Sequence, residues 1–317
     1  MADRLSSPLS TGGAGENYEY DVAAVWLSRL LRGVNVPVGI HAPLVRVAFQ
    51  QSNEGYPLDD VVAWGHADPP AEEPCIQVQV KRSVKATASD AEFIKVMRQV
   101  IAACDGQPEQ IAERRLLFGL AARPVRGAYL DELTELTECA RAHDRPETFE
   151  RLLREGVTGK PLRDRLTDVS AAIAVAAGAG ETRAVSPLIH QILRALHVWQ
   201  VEQGADGRDW RHETDGLADL AAEAGKTPTD IMDRLRGIAV AFGPRSGNVN
   251  ADHVREQLNR FGIYLSPETT GVRRPATYSN TINAHDHSMV FNAHVQHFGP
   301  GSINSAPPAQ GEGGGAS

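Results

Sequence analysis

The chain has 317 residues, of which 42% are hydrophobic and 23% charged, the composition of a soluble globular protein with one large or two ordinary domains. No stretch approaches the ~20 consecutive apolar residues of a membrane helix, and a net charge of −8 argues against a dedicated, free-standing DNA binder, which is usually basic. Three scattered cysteines, Cys75, Cys104 and Cys139, form no CxxC pair and point to reduced thiols rather than a disulfide frame.

Residues 1–15 are Ser/Gly-rich, lack the apolar core of a signal peptide and predict a flexible start to a cytoplasmic protein. "NYEYDVAAVWLSRLLRG" follows with apolar residues at helical spacing, and Gly33 is its stop. "PLVRVAFQQ" reads as a strand, "SNEGYP" as a turn, "LDDVVAWG" as a second strand and "CIQVQVKRS" as a third. Ser89 to Glu92 has capping-box spacing and opens a helix that runs to about Ala103. "RRLLFGLAA" is a fourth strand, so the first 125 residues read α-β-β-β-α-β. From Ala128 to Leu265 the periodicity is helical throughout, which predicts a bundle of about six helices. His190 and His197 fall seven apart on one helix of that bundle and read as packing or surface residues. After Pro267 the composition shifts to Gly, Asn, His, Ser and Pro, and the last dozen residues are low-complexity.

Charges that interrupt apolar runs carry the functional signal. Burying a charge is costly unless it is paired or holds a metal. Glu19 shares a helix face with Val22, Ala23, Trp26, Leu27 and Leu30. Asp59 and Asp60 interrupt the second strand and point to opposite faces. In the third strand Gln77, Gln79 and Lys81 share the face opposite Ile76, Val78 and Val80. Taken singly, each reads as a helix-start acid, a strand edge or a solvated sheet face. Taken together, they place a helix acid, a strand aspartate and a Gln-x-Lys on neighbouring elements. Hard divalent cations want such oxygen ligands, and a lysine beside them can orient water or stabilise a phosphorane charge. The chemistry they suit is metal-assisted hydrolysis of a phosphodiester. A basic patch of Lys81, Arg82, Lys85, Lys95 and Arg98 surrounds the third strand's end.

With those residues in view, the chain resembles the PD-(D/E)XK, restriction-endonuclease-like superfamily, with Gln79 in the acidic slot of the motif. "GGAGENYEYDVAAVWLSRLLRG", "LDDVVA" and "QVKRSVKATASDAEF" are similar to nuclease domains of bacterial anti-phage systems, found beside nucleotide- or ligand-sensing NTPases. The resemblance covers roughly residues 11–125. It implies an α/β, αβββαβ nuclease core over 16–125, followed by a helical domain over 126–266. It implies a catalytic set of Glu19, Asp59 or Asp60, Gln79 and Lys81, with Mg²⁺ or Mn²⁺ held by Asp60, Gln79 and Glu19. Asp60 is preferred over Asp59 because Val61 and Val62 follow it into the sheet. Gln79 removes one negative charge from the metal site, which leaves an inactive, nuclease-like adaptor as the alternative. Arg82, Ser83 and Lys85 are the candidate nucleic-acid contacts, and double-stranded DNA is the expected substrate.

The tail, 267–317, holds "NTINAHDHSMVFNAHVQHFGPGSIN". His285, His287, His294 and His297 are close together but fit no zinc spacing. Period-2 alternation, near-absence of charge, and Asn and Gln that can ladder suit in-register cross-β stacking. "HVQHFGPGS" resembles the Val-Gln-x-x-Gly core of RHIM-like amyloid signalling motifs, which places such a motif at 280–304. That resemblance implies an NLR-like (STAND) NTPase sensor as partner and a homo-oligomer on activation, in which clustering raises the effective concentration of nuclease domains.

Overall fold

The computed structural model describes residues 13–266, apart from 155, 179–185, 203 and 243–246. The tail motif at 280–304 lies outside the described residues.

Helix α1 (Gly13–Arg32) is followed by β1 (Leu44–Phe49), β2 (Val61–Gly65), β3 (Cys75–Lys81), α2 (Ala91–Gly106), the short α3 (Pro108–Ala112) and β4 (Leu116–Ala122). The observed order thus contains the expected α, three strands, α and strand. Gly33 ends α1 with φ +61, and the Val34 N–H returns to the Arg29 carbonyl at 3.2 Å. The cap of α2 is Asp90, one residue later than its sequence suggests: its carboxylate accepts from Phe93 N at 3.0 Å and from Lys85 N at 2.9 Å.

Beyond residue 128 come α4 (Tyr129–Ala142), α5 (Pro146–Leu152), α6 (Lys160–Ala176), α7 (Ser186–Ala195), β5 (Leu196–Gln200), α8 (Arg208–Gly216), α9 (Ala218–Glu223), α10 (Pro228–Phe242), β6 (Asn248–Val249) and α11 (Ala251–Arg260). Two of these are strands, where the periodicity predicts only helix. The run read as one helix from Ser186 is helical to Ala195 and then extended, so His190 and His197 do not share a helix face. Parallel pairing with β4, from Phe118↔Leu196 to Ala122↔Gln200, overrides local periodicity there. Trp199 then packs edge-on to Trp26 with ring centroids 6.0 Å apart. His190 is buried and its Nε2 meets the His143 carbonyl at 2.8 Å, the packing role expected of it.

The sheet order is β5-β4-β3-β2-β1-β6. β1, β2 and β3 are antiparallel neighbours, and β4 runs parallel to β3. At the β3–β4 pairing Val78 sits opposite Gly119, where a Cβ would lie 2.8 Å from a Val78 methyl. Each face of the sheet has its own core. Ile76, Val78 and Val80 join α1, α8, α10 and α11 through Trp26, Trp210, Leu235 and Leu258. Val62, Trp64, Phe118 and Leu120 join α2, α4, α6 and α7 through Phe93, Leu133, Val169 and Ile192. Helices from the 126–266 region therefore cover both faces, in three layers. The polar face of β3 lies under α2 rather than in water: Gln77 is 0% and Gln79 5% exposed.

No helix among the described residues is long and apolar enough to cross a membrane. All three cysteines are free, and burial pushes the Cys75 and Cys104 thiols up to about 12.

One buried ion network ties α1 to α8. Glu213, 1% exposed, accepts from Arg29 Nε at 2.8 Å, from Ser28 Oγ at 3.2 Å and from the Arg32 guanidinium. Removing one partner of a buried pair leaves the other uncompensated. Glu213→Ala should therefore lower the unfolding free energy by about 3 kcal/mol, read from the urea midpoint. A loss below about 0.5 kcal/mol would show the network to be worth no more than an exposed pair.

Candidate functional site

Asp60 immediately precedes β2. Val61 pairs with Val78, so Asp60 stands one step further along the ladder, opposite Gln79. The side chains meet there: Gln79 Nε2 donates to Asp60 Oδ2, and the Val80 N–H donates to the same oxygen at 2.7 Å. Gln50, just past β1, donates from Nε2 to Asp60 Oδ1 at 3.4 Å. Its φ of +53 is a left-handed conformation that a residue with a Cβ adopts at some energetic expense. Three strand ends thus converge on one carboxylate, 6% exposed.

Asp59 turns elsewhere. Its carbonyl accepts from Gln51 N at 3.1 Å, and its carboxyl is hydrogen-bonded by the Ser52 side chain in the 3-10 turn Ser52–Glu54. Burial raises the Asp59 carboxyl above the ordinary carboxylate range, opposed by the Ser52 bond and by Lys95 and Lys81. Asp60 is pushed up to about 6, first by burial and then by the neighbouring Asp59 charge, against the Val80 N–H, Lys81 and Gln50.

Glu19, half-buried on α1, reaches the same place from the other face. With Tyr20, Ala23, Gln50, Asp60 and Val80 it lines a cleft of about 20 Å³. That volume holds one water or a bare cation. Lys81 ends β3 on the Gln79 face, and its ammonium pairs with Glu92 Oε2 at 2.9 Å. Arg82, Ser83 and Lys85 follow in an exposed loop. The expected site residues therefore divide. Glu19, Asp60 and Gln79 are joined by a shared cleft and a hydrogen bond. Asp59 and Lys81 lie close enough to perturb that charge without lining the cleft.

Among the described residues, no three His, Cys, Asp or Glu side chains are grouped to hold a metal. The two carboxylates that line the cleft are Glu19 and Asp60; the Gln79 amide, bonded to Asp60, is not part of its lining. Gln79 Oε1 is buried and has no hydrogen-bond partner among the described residues, and an orphaned acceptor of that kind costs about 1–3 kcal/mol. A small hard cation is the ligand class such a set fits.

Three contributors have no clear sequence signal. Gln50 supports Asp60 from a chain reversal. Glu92 holds Lys81 from the first turn of α2. Arg165, on α6, donates to the Ala86 carbonyl at 2.6 Å, pairs with Glu132 at 2.9 Å, and stacks 4.6 Å from the Tyr129 ring centroid. It thereby fixes the loop carrying Arg82 and Lys85.

No protein-family model matches the chain, and no curated protein matches it. Among solved structures, the Cap4 SAVED/CARF-domain containing receptor of Moraxella osloensis aligns with TM-score 0.42 and 11% identity, over 79% of this chain and 48% of that one. The chain spans about half the length of that structure. An overlap of this extent assigns neither a fold family nor a function.

The Asp60 environment sets a pH dependence. Because folded Asp60 keeps its proton to higher pH than an unfolded aspartate, the native state binds more protons between the two values. Stability then falls as pH rises from 3.8 toward about 6. A shift of that size corresponds to roughly 3 kcal/mol. Asp59 shifts in the same direction. Asp60→Asn should remove most of this slope and leave the variant more stable than wild type at pH 7, measured by urea unfolding across that range. Equal slopes in the two proteins would refute the assignment.

Proposed function

We propose that the protein is a metal-dependent nuclease that hydrolyses phosphodiester bonds of double-stranded DNA. The observation that carries this reading is the cross-strand pairing of Asp60 with Gln79 beside a cleft shared with Glu19. Lys81 follows two residues later on the same strand face. Glu19, Asp60 and Gln79 would hold Mg²⁺ or Mn²⁺, which supplies Lewis-acid polarisation of the phosphodiester and an acidified water.

The rest is the work of the chain. The Val80 N–H and Gln50 fix the Asp60 carboxylate at the strand ends. Lys81 supplies a positive charge where negative charge develops on the phosphorus oxygens. Arg82 and Lys85, exposed beside it, give the local basic surface that an acidic protein needs to meet a DNA backbone. Arg165 holds that surface in place from the helical layer. The sequence resemblances extend the reading to an effector of anti-phage defence, engaged through its tail by an NTPase sensor and active when clustered.

A second reading has a specific observation behind it. Both Asp60 oxygens already accept from protein donors, and the Lys81 ammonium is already paired. A protein fixed in that arrangement would bind DNA or a partner without cutting.

Cleavage of linear duplex DNA, with Mg²⁺ and with Mn²⁺, decides between them. On the nuclease reading, Lys81→Ala and Asp60→Asn each lower the rate about 100-fold or more. Added Mn²⁺ also raises the melting temperature of wild type but not of Asp60→Asn. Wild type that binds DNA yet cuts no faster than Lys81→Ala, free or clustered, establishes the adaptor instead.

A further inference from the structure

We propose that Glu92 is a positioning residue that holds the Lys81 ammonium until a phosphate of the nucleic acid takes its place. This rests on the nuclease reading and adds to it a residue outside the motif.

Lys81 is 16% exposed at its side chain and stands among three carboxylates. Asp59 and Asp60 both feel its charge, but burial opposes their ionisation. Glu92 differs. It is 52% exposed, it bonds Lys81 directly at 2.9 Å, and that bond holds its carboxyl below the ordinary range. It is therefore the ionised and accessible acceptor of the three. Lys95 lies one helical turn further along and touches the same electrostatics, lowering both Asp59 and Glu92.

A carboxylate oxygen and a phosphate oxygen are the same kind of acceptor for an ammonium. A pair with a half-exposed member is worth at most about 1 kcal/mol, so exchange of one for the other is nearly balanced. The adjoining geometry favours that exchange. Asp90, two residues before Glu92, accepts from Lys85 N and caps α2, so one carboxylate joins the loop that follows Arg82 to the start of α2. A backbone phosphate drawn to Arg82 and Lys85 arrives beside the Lys81–Glu92 pair.

The test is a double-mutant cycle in DNA binding, on the full chain, with a fluorescein-labelled duplex and EDTA so that cleavage does not intervene. Glu92→Gln keeps the side-chain shape at an exposed position. It should tighten binding about two- to fivefold and steepen the salt dependence by about 0.9, the increment of one phosphate contact. In a Lys81→Met background the same change should do nothing. Glu92→Asp, which keeps the acceptor, should stay within about twofold of wild type. An equal gain with and without Lys81 would mean that Glu92 acts only as a bare negative charge, and overturns the proposal while leaving DNA binding intact. No gain in either background, with wild type binding normally, overturns it as well. Failure of wild type either to bind or to cut duplex DNA removes the nuclease reading, and this proposal with it.

Discussion

The arrangement of the site depends on one buried carboxylate. Asp60 is too enclosed to be solvated, and its charge must be met by protein. The donors come from two strand ends: the Val80 N–H and Gln79 of β3, and Gln50 beyond β1. Each bond also does a structural task. The bond to Val80 N closes the ladder one residue past the last regular β2–β3 pair. The contact with Gln50 accompanies a left-handed backbone at the end of β1. Strain, desolvation and a neighbouring aspartate are concentrated within a few residues. Such a concentration is typical of a site kept for function rather than for stability.

Around it, the sheet is covered on both faces by helices from distant parts of the chain. Burial of the Gln77 and Gln79 face under α2 makes those amides obligatory hydrogen-bonding groups. Gln77 accepts from Leu58 N at 3.4 Å, which helps fix the chain as it enters β2. Arg165 belongs to α6, yet it fixes the Ala86 carbonyl and so the exit from β3. The two ends of the Asp60–Lys81 region are thus set by contacts more than fifteen residues away in sequence, and in the case of Arg165 by the helical layer.

How much of this was legible follows from the range of the interactions involved. α1, the first four strands and α2 carry their own periodicity and punctuation and form close to where those signals place them, although α1 begins at Gly13, inside the stretch read as flexible, β2 begins at Val61 rather than Leu58, and α2 is capped by Asp90 rather than Ser89. β5 and β6 do not. Leu196–Gln200 continues a helical pattern and becomes a strand because β4 offers an open edge, a tertiary fact absent from local sequence. The candidate residues were visible as charges inside apolar runs, but their division was not. Which aspartate meets Gln79 depends on register, and register comes from the pairing of Val61 with Val78. The burial of the β3 polar face could not be read either, since alternation marks two faces without saying which is wet. The supporting roles of Gln50, Glu92 and Arg165 depend on contacts between segments, and no spacing rule encodes them.

Gln79 itself is best understood through charge. An acid at this position would place a third carboxylate beside Asp59 and Asp60, both of which already resist ionisation. Without a cation, such a cluster would be held together only by protonation, and its strand ends would repel one another. The amide instead donates to Asp60 and keeps the β2–β3 junction closed. Its carbonyl oxygen remains as a neutral, buried acceptor. A neutral ligand contributes less attraction to a divalent ion than a carboxylate does, so any cation at this seat binds more weakly than at a three-acid site. On the nuclease reading, Gln79 would give a site whose charge is completed only when cation and phosphate arrive together. On that reading, in a protein of net charge −8, the arrangement would suppress unprompted encounter with nucleic acid, and the proposed Lys81–Glu92 exchange would act in the same sense at the neighbouring position.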